Sequence, residues 1–246
     1  MSLTENALLG GRVRLRQPKD GYRAGMDAVL LAAACDADPG QRVLDAGCGA
    51  GAVMLAAASR LTETRFTGLE RDPQTVDLAR DNIALNGLGA RADVVEGVVG
   101  SVLARLGLAP FDAVLANPPF FDDPAALRPP APAKRGAWMS SEGLDAWTQF
   151  LLSATREGGT ITLIHRADRL ADILAGLSRK AGSFQIRPVA PFADTPAKRV
   201  VVRSVKTGKA PLKLLPPLVL HDRESATKHT AAAEAILRGE ATLPWT

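Results

Sequence analysis

Cysteine is nearly missing from this chain. Cys35 and Cys48 are the only two in 246 residues, too few for a disulfide framework. No Cys/His spacing resembles a zinc site, so no metal is expected and a reducing, cytoplasmic compartment is. Aromatic residues make up only 4% of the chain, with one Tyr and three Trp, which speaks against a stacking platform of the kind that binds single strands. Nowhere do eighteen apolar residues run together, and the N-terminal "MSLTENALLGGRVRLRQPKDG" lacks the apolar centre of a signal peptide; no membrane partner is expected. A large excess of one charge is also missing. Thirty Lys and Arg stand against 26 Asp and Glu, leaving +4, enough to favour a polyanion mildly.

What is present is an ordinary folding composition, 46% hydrophobic and 23% charged, long enough for one sizeable α/β domain with small additions. A monomer is the default expectation. From residue 41 the text alternates short β-rich runs with helical patterns, the signature of βαβ units and a parallel sheet. Strands are expected at Arg42 to Gly47, Arg65 to Glu70, Ala92 to Gly97, Phe111 to Asn117, Gly159 to Arg166, Phe184 to Val189 and Lys198 to Val205, the last pair as an antiparallel hairpin. Helices are expected between them, among them one over Val98 to Leu106 and one opened by Asp72 and Pro73 as N-cap and first helical residue. "AGMDAVLLAAAC" before the first strand reads as a helix across the sheet edge, and "SATKHTAAAEAILRG" as a last helix. The division is an extension over 1–40, the main domain over 41–210, and a strand and helix of the same domain over 211–246. Residues 118 to 143 break the rhythm with a long proline-rich loop, a length usually kept for function or motion.

"LDAGCGAG" places Gly47, Gly49 and Gly51 at a strand-to-helix junction, where glycine permits positive φ and close approach of a ligand to the backbone. The alternative is a tight turn that binds nothing. The third glycine comes one residue too early for a nicotinamide fingerprint. Glu70 closes the second strand about 20 residues on, where a carboxylate can hold the two ribose hydroxyls of an adenosine; a strand-end surface charge is the other reading. Asp45, at the end of the first strand, either stays solvated or orients the loop.

"VLANPPFF" ends the fourth strand at the edge where doubly wound folds bind ligands. The amide oxygen of Asn117 and the carbonyl of Pro118 can both accept hydrogen bonds from a planar NH2 group. Holding both hydrogens draws the nitrogen lone pair out of conjugation toward an electrophile in line behind it. Pro118 and Pro119 stiffen the turn before substrate arrives, and Phe120 offers a face for a flat base. No strong base is present, and none is needed if the electrophile is already good. A proline-capped strand end with two core phenylalanines is the alternative.

With these residues the chain resembles the class I, Rossmann-like methyltransferases that use S-adenosyl-methionine, in the group with an "NPPY/F" motif. The resemblance runs from about Gly21 to Leu237. Within the group it most resembles the bacterial tRNA-valine adenine N6-methyltransferases, through "YRAGMDAVLLAA" (Tyr22 to Ala33), "VLANPPFF", and the C-terminal helix after a strand at "LVLHD". It implies a seven-stranded sheet with helices on both faces and S-adenosyl-methionine as cofactor. Gly47, Gly49 and Gly51 then hold the methionine end with Asp45 near its positive charge, Glu70 with Arg71 beside it holds the ribose, and Asn117 to Phe120 hold the target amine. Gly25 and Asp27 are implied near the donor. Many relatives carry an Asp after the "EG" of the third strand to bind the adenine amine; here Val98 stands there, and Glu96 or a backbone group takes the part. Phe120 where many have Tyr keeps the stacking face and loses the hydroxyl.

The implied partner is RNA, specifically tRNA, methylated on an exocyclic amine. Lys198, Arg199, Arg203, Lys206, Lys209 and Lys213, with Lys134 and Arg135 in the loop, are candidates for phosphate contacts, or else an ordinary solvated edge. His165, His221 and His229 are assigned structural or surface roles, although folding can bring His165 near Asn117. Cys48 reads as a packed residue. The competing readings are a protein glutamine methyltransferase, which usually carries a separate N-terminal helical domain, a ribosomal guanine N2-methyltransferase, and a non-catalytic binding module.

Overall fold

The computed structural model describes residues 2–19, 23–119, 143–224 and 227–246. It opens on an element the sequence reading missed, a hairpin of β1 (Leu3–Leu8) and β2 (Val13–Pro18). Its signals are the Gly10-Gly11 turn and strict alternation in β2: Val13, Leu15 and Gln17 are buried while Arg14 is exposed and Arg16 half-buried. Asn82 and Asn86, four apart on one helix, dock the hairpin. Asn86 accepts from Arg14 N at 2.9 Å and donates to Arg14 O at 2.7 Å, and Asn82 does both to Arg16 at 2.8 Å. The two amides complete the free edge of β2 as a neighbouring strand does.

Next come α1 (Met26–Ala33), β3 (Arg42–Ala46), α2 (Ala52–Arg60), β4 (Arg65–Glu70), α3 (Pro73–Leu85), β5 (Ala92–Glu96) and β6 (Phe111–Ala116). After the loop follow α4 (Leu144–Ala154), β7 (Thr155–Arg166), α5 (Leu170–Leu177), β8 (Ala181–Ala190), β9 (Arg199–Lys206), and α6 (Ala231–Leu237) near the C-terminus. The α3 start is as expected: Pro73 occupies the first turn and the Asp72 side chain accepts from Thr75 N at 2.9 Å.

Seven strands run in the order β8-β9-β7-β6-β3-β4-β5, with β9 antiparallel to both neighbours and the other pairings parallel. Two short strands, β10 (Lys213–Leu214) and β11 (Leu218–Val219), add to the outer side of β8 and bring the sheet to nine. β11 falls at the start of the strand expected at "LVLHD", whereas nothing in the sequence announces β10, since two residues give no period to read. The strands alternate between two apolar layers. Val43, Ala113 and Leu115 face α1, α2 and α3, while Leu44, Ala46, Val114 and Ala116 face α4 and α5. The helix expected over Val98 to Leu106 is reduced to a 3-10 turn at Leu103–Leu106. Gly100 stands at φ +105, and Val98, Val99 and Val102 lose side-chain freedom in a helix, so none propagates there.

β3 pairs with β4 on one side and β6 on the other, which makes the β3/β6 gap the topological switch point. The carboxyl ends of β3, β4, β6 and β7 therefore share one edge. No helix among the described residues is long and apolar enough to cross a membrane.

Candidate active site at the switch point

The three glycines after β3 all have positive φ: +70 at Gly47, +54 at Gly49 and +90 at Gly51. They do different work. A Cβ on Gly47 would lie 2.6 Å from Cη2 of Trp147 in α4, so this glycine lets an indole pack beneath the loop. At Gly49 nothing lies within 4 Å of where a Cβ would be. That is the bare stretch of backbone a ligand can approach, and it fits the nucleotide-like donor expected there. Cys48 between them is buried and fills the notch of Gly68, whose added Cβ would meet Cys48 Sγ at 2.6 Å. Burial pushes its thiol well above the ordinary range, so it is packing and no nucleophile.

Asp45 is not solvated. It is 1% exposed, and its Oδ2 accepts from Met54 N at 3.1 Å, in the first turn of α2. Burial raises its pKa to about 7; the Met54 N–H opposes the rise, and the Glu70 charge adds to it. Of the two roles read for Asp45, the loop-orienting one is what the fold builds.

Glu70 is half-buried at the end of β4. Its Oε2 accepts from Gly49 N at 3.1 Å, and its Oε1 accepts from Arg71 N at 2.8 Å and Asp72 N at 3.0 Å. The carboxylate thus clamps the glycine loop to the neighbouring strand and keeps one lone pair on Oε2 for a hydroxyl donor. Glu96 stands opposite Glu70 in the β4/β5 register and is exposed, as is Arg71. Val98, in the position where relatives carry an acid, is 40% exposed.

Ala116 pairs with Ala46 in the β3/β6 ladder, so the next residues, Asn117 and Gly47, leave the sheet side by side. Asn117 and Pro119 are half-buried and Pro118 is buried; Phe120 lies outside the described residues. On the other side Ala116 pairs with Leu163 of β7, which brings His165 alongside the two prolines. His165 is 4% exposed, and its ring lies against the Pro119 backbone. Burial, then the Arg169 charge, lower its pKa to about 4, while the Pro119 carbonyl works the other way. The ring is neutral at physiological pH.

Gly25 caps the N-terminus of α1 in an extended conformation. Asp27, in the first turn, is bound by Arg199 at 2.9 Å, which ties α1 to the start of β9. This accounts for one member of the basic stretch, and two more are also engaged. Arg203 bonds Asp36 and Gln185, and Lys206 bonds Glu157 and the Thr155 carbonyl. Lys198, Lys209 and Lys213 are exposed. The stretch is therefore not one continuous phosphate-binding surface, because its three members within β9 are taken by structural acids and the exposed lysines lie outside that strand; Lys134 and Arg135 lie outside the described residues.

The family model described as methyltransferase small domain matches residues 24–128. That segment of the chain carries the family's domain. It is 33% identical over 170 residues to a Porphyromonas gingivalis protein named tRNA1(Val) (adenine(37)-N6)-methyltransferase, covering 66% of each chain. It is 31% identical to a Deinococcus radiodurans release factor glutamine methyltransferase, over 68% of this chain and 59% of that one. The chain thus spans 59 to 66% of these relatives' own length. Among solved structures it is similar to a predicted O-methyltransferase, protein Atu636 from Agrobacterium tumefaciens, with a TM-score of 0.74 and 27% identity, covering 88% of this chain and 98% of that chain. The fold is that of the class I S-adenosyl-methionine-dependent methyltransferases.

The family segment holds the glycine loop, Glu70 and Asn117 to Phe120. It does not reach Trp147, His165 or the N-terminal hairpin. Trp147 left no signal beyond being a rare residue in a helix. His165 left one, as a histidine ending a strand at the carboxyl edge.

Proposed function

We propose that the chain transfers a methyl group from S-adenosyl-methionine to an exocyclic amine of RNA, adenine N6 in a tRNA. The observation that carries this reading is the adjacency of Asn117 to Gly47 at the switch point, which sets an amine-holding turn directly beside the donor loop. S-adenosyl-methionine supplies an electrophilic methyl group. Gly49 holds its methionine end through bare backbone, while Gly51, expected to share the task, is buried against Met54 and Leu55 and shapes the turn into α2; Asp45 fixes the start of α2 from beneath, and Glu70 holds the ribose. The Asn117 Oδ1 and the Pro118 carbonyl accept the two amine hydrogens and turn the nitrogen lone pair toward the methyl group. The prolines leave that turn little entropy to lose on binding. After transfer the amine carries an extra proton, which passes to water.

An oxygen acceptor fits less well. A hydroxyl must lose its proton before attack, and His165, the imidazole nearest the turn, is held at about 4 and makes a weak base. The name of the P. gingivalis relative supports tRNA adenine as acceptor. A second reading, a glutamine amide of a protein, is supported by the D. radiodurans relative and needs the same turn.

The test is transfer of labelled methyl from S-adenosyl-methionine into total bacterial RNA and, separately, into protein extract, with the RNA digested to nucleosides. Label in N6-methyladenosine from the tRNA fraction is the expected result. Label in protein moves the acceptor to glutamine, and label in neither, with donor binding intact, refutes both.

A further inference from the structure

The unassigned feature is the N-terminal hairpin. Between residues 2 and 24 stand Arg12, Arg14, Arg16, Lys19 and Arg23 against Glu5 and Asp20. This segment alone carries three of the chain's net four positive charges. β2 buries Val13, Leu15 and Gln17 and turns Arg14 and Arg16 outward, one pleat apart on a single face.

Glu5, directly opposite Arg16 in the ladder, binds both guanidinium groups, Arg14 at 2.7 Å and Arg16 at 3.1 Å. All three side chains are substantially exposed, Arg14 at 55%, Arg16 at 43% and Glu5 at 37%. One carboxylate between two arginines leaves the face cationic and holds both guanidiniums in a fixed orientation. Arg23 lies toward the other face of the hairpin, held by the Thr4 hydroxyl, the Asn6 amide oxygen and the Pro18 carbonyl.

The hairpin adjoins the donor loop. Asn82 Nδ2 donates to Arg16 O at 2.8 Å and also to Ala50 O, inside the glycine loop, at 3.0 Å. From Arg16 the chain passes Lys19 and Arg23, with Ala24 N bonded to Gln17, to Gly25 at the head of α1. Cations two residues apart on a strand stand about 6.6 Å from each other, a spacing comparable with that of successive phosphates along one nucleic-acid strand.

We propose that the outer face of the N-terminal hairpin, Arg14 and Arg16 with exposed Lys19 at the strand's end, docks the phosphate backbone of the RNA whose base enters the site. This rests on the RNA reading given above. Glu5 stands where a phosphate converges on the two arginines, and it yields them to the nucleic acid on binding. Base identity is not read here; the ribbon sets position and affinity.

The test is binding of a fluorescein-labelled tRNA transcript to the full chain by anisotropy, from 50 to 300 mM salt, with donor affinity and thermal unfolding measured alongside. The triple variant R14Q/R16Q/K19Q should weaken tRNA binding by roughly 10- to 100-fold at physiological salt. It should lower the magnitude of the slope of log K against log salt by about 2 to 3, since each phosphate neutralised by the wild type accounts for about 0.7 to 0.9. The charge-keeping R14K/R16K/K19R should hold most of the slope. Glu5→Gln, which frees both arginines, should tighten tRNA binding several-fold, a gain that misfolding does not produce.

Unchanged affinity and slope in the triple variant, with wild-type binding intact, overturn the hairpin assignment and leave the RNA reading standing. A wild-type chain that ignores tRNA and methylates protein overturns both. Arginine-dependent binding to phosphatidylserine vesicles in preference to tRNA overturns the nucleic-acid occupant and makes the face a membrane surface.

Discussion

Asp45→Asn isolates the energetics of the buried acid beneath the glycine loop. Burial raises the carboxyl from 3.8 to about 7, a difference worth on the order of 4 kcal/mol. The folded state holds this proton more tightly than the unfolded chain. The stabilising contribution is therefore complete below pH ~4, falls by about 1.4 kcal/mol per unit as pH rises, and is gone above pH ~7. Asparagine keeps an oxygen to accept the Met54 N–H and never ionises, so the variant lacks this slope. Chemical denaturation of the donor-free protein from pH 4.5 to 8.5 measures it as the difference between wild type and variant. The difference removes the slopes of other groups, including the surface carboxylates of Asp112 and Asp168, which arginines hold below the usual range. The variant should be the more stable at pH 8 and lose that advantage toward pH 5.

The same acid ties stability to ligand. A cationic donor over the loop favours the ionised form, so donor binding near pH 6.5 should expel up to one proton in wild type and none in Asp45→Asn. Calorimetry in buffers of different ionisation enthalpy counts it. A pH-independent stability difference, together with equal proton release in both proteins, would refute the burial argument for Asp45.

The remaining predictions concern the site's edge. Asn117→Ala should abolish turnover and leave donor affinity nearly intact, because the amide meets the acceptor; near-normal single-turnover rates would sink the amine-holding mechanism. Glu70→Ala should weaken the donor by roughly 1 to 3 kcal/mol through the loss of charge-assisted hydrogen bonds, and it also releases the Gly49 N–H; an unchanged dissociation constant speaks against the ribose role. His165→Leu should lower kcat with little change in donor affinity, because the ring backs the Pro119 carbonyl, and His165→Gln should recover part of the loss; equal rates in both variants would leave it a packing residue. Since its pKa is lowered from 6.5 to about 4, His165 contributes stability present above pH ~6.5 and lost as pH falls through 4. No histidine limb from it belongs in the rate profile between pH 5 and 8.

The elements legible in the sequence were those with a period or a cap. Asp72 and Pro73 start α3 where their chemistry requires, and the strands of the switch point end where Glu70 and Asn117 stand. What stayed hidden depended on partners far away in the chain. Gly47 reads as a ligand-facing glycine, yet its missing Cβ also makes room for Trp147, a hundred residues later. The basic stretch from Lys198 to Lys213 reads as phosphate-binding, yet Asp27, Asp36 and Glu157 claim half of it. Periodicity gives the face of a side chain; it does not give the charge that waits there.

Asn82 shows why such distant partners matter to function. It is fully buried, and an unpaired buried amide is costly. Its donors and acceptor are met by both backbone groups of Arg16 and by the Ala50 carbonyl. The single side chain therefore requires hairpin, α3 and glycine loop to be assembled together. On the proposed reading, a nucleic acid that pulls on Arg14 and Arg16 acts on the strand whose backbone shares the Asn82 amide with the loop assigned to the methyl donor. Substrate docking and donor binding then meet at one amide, and replacing Asn82 with Leu should weaken both at once, whereas changing the outward arginines should weaken only the first.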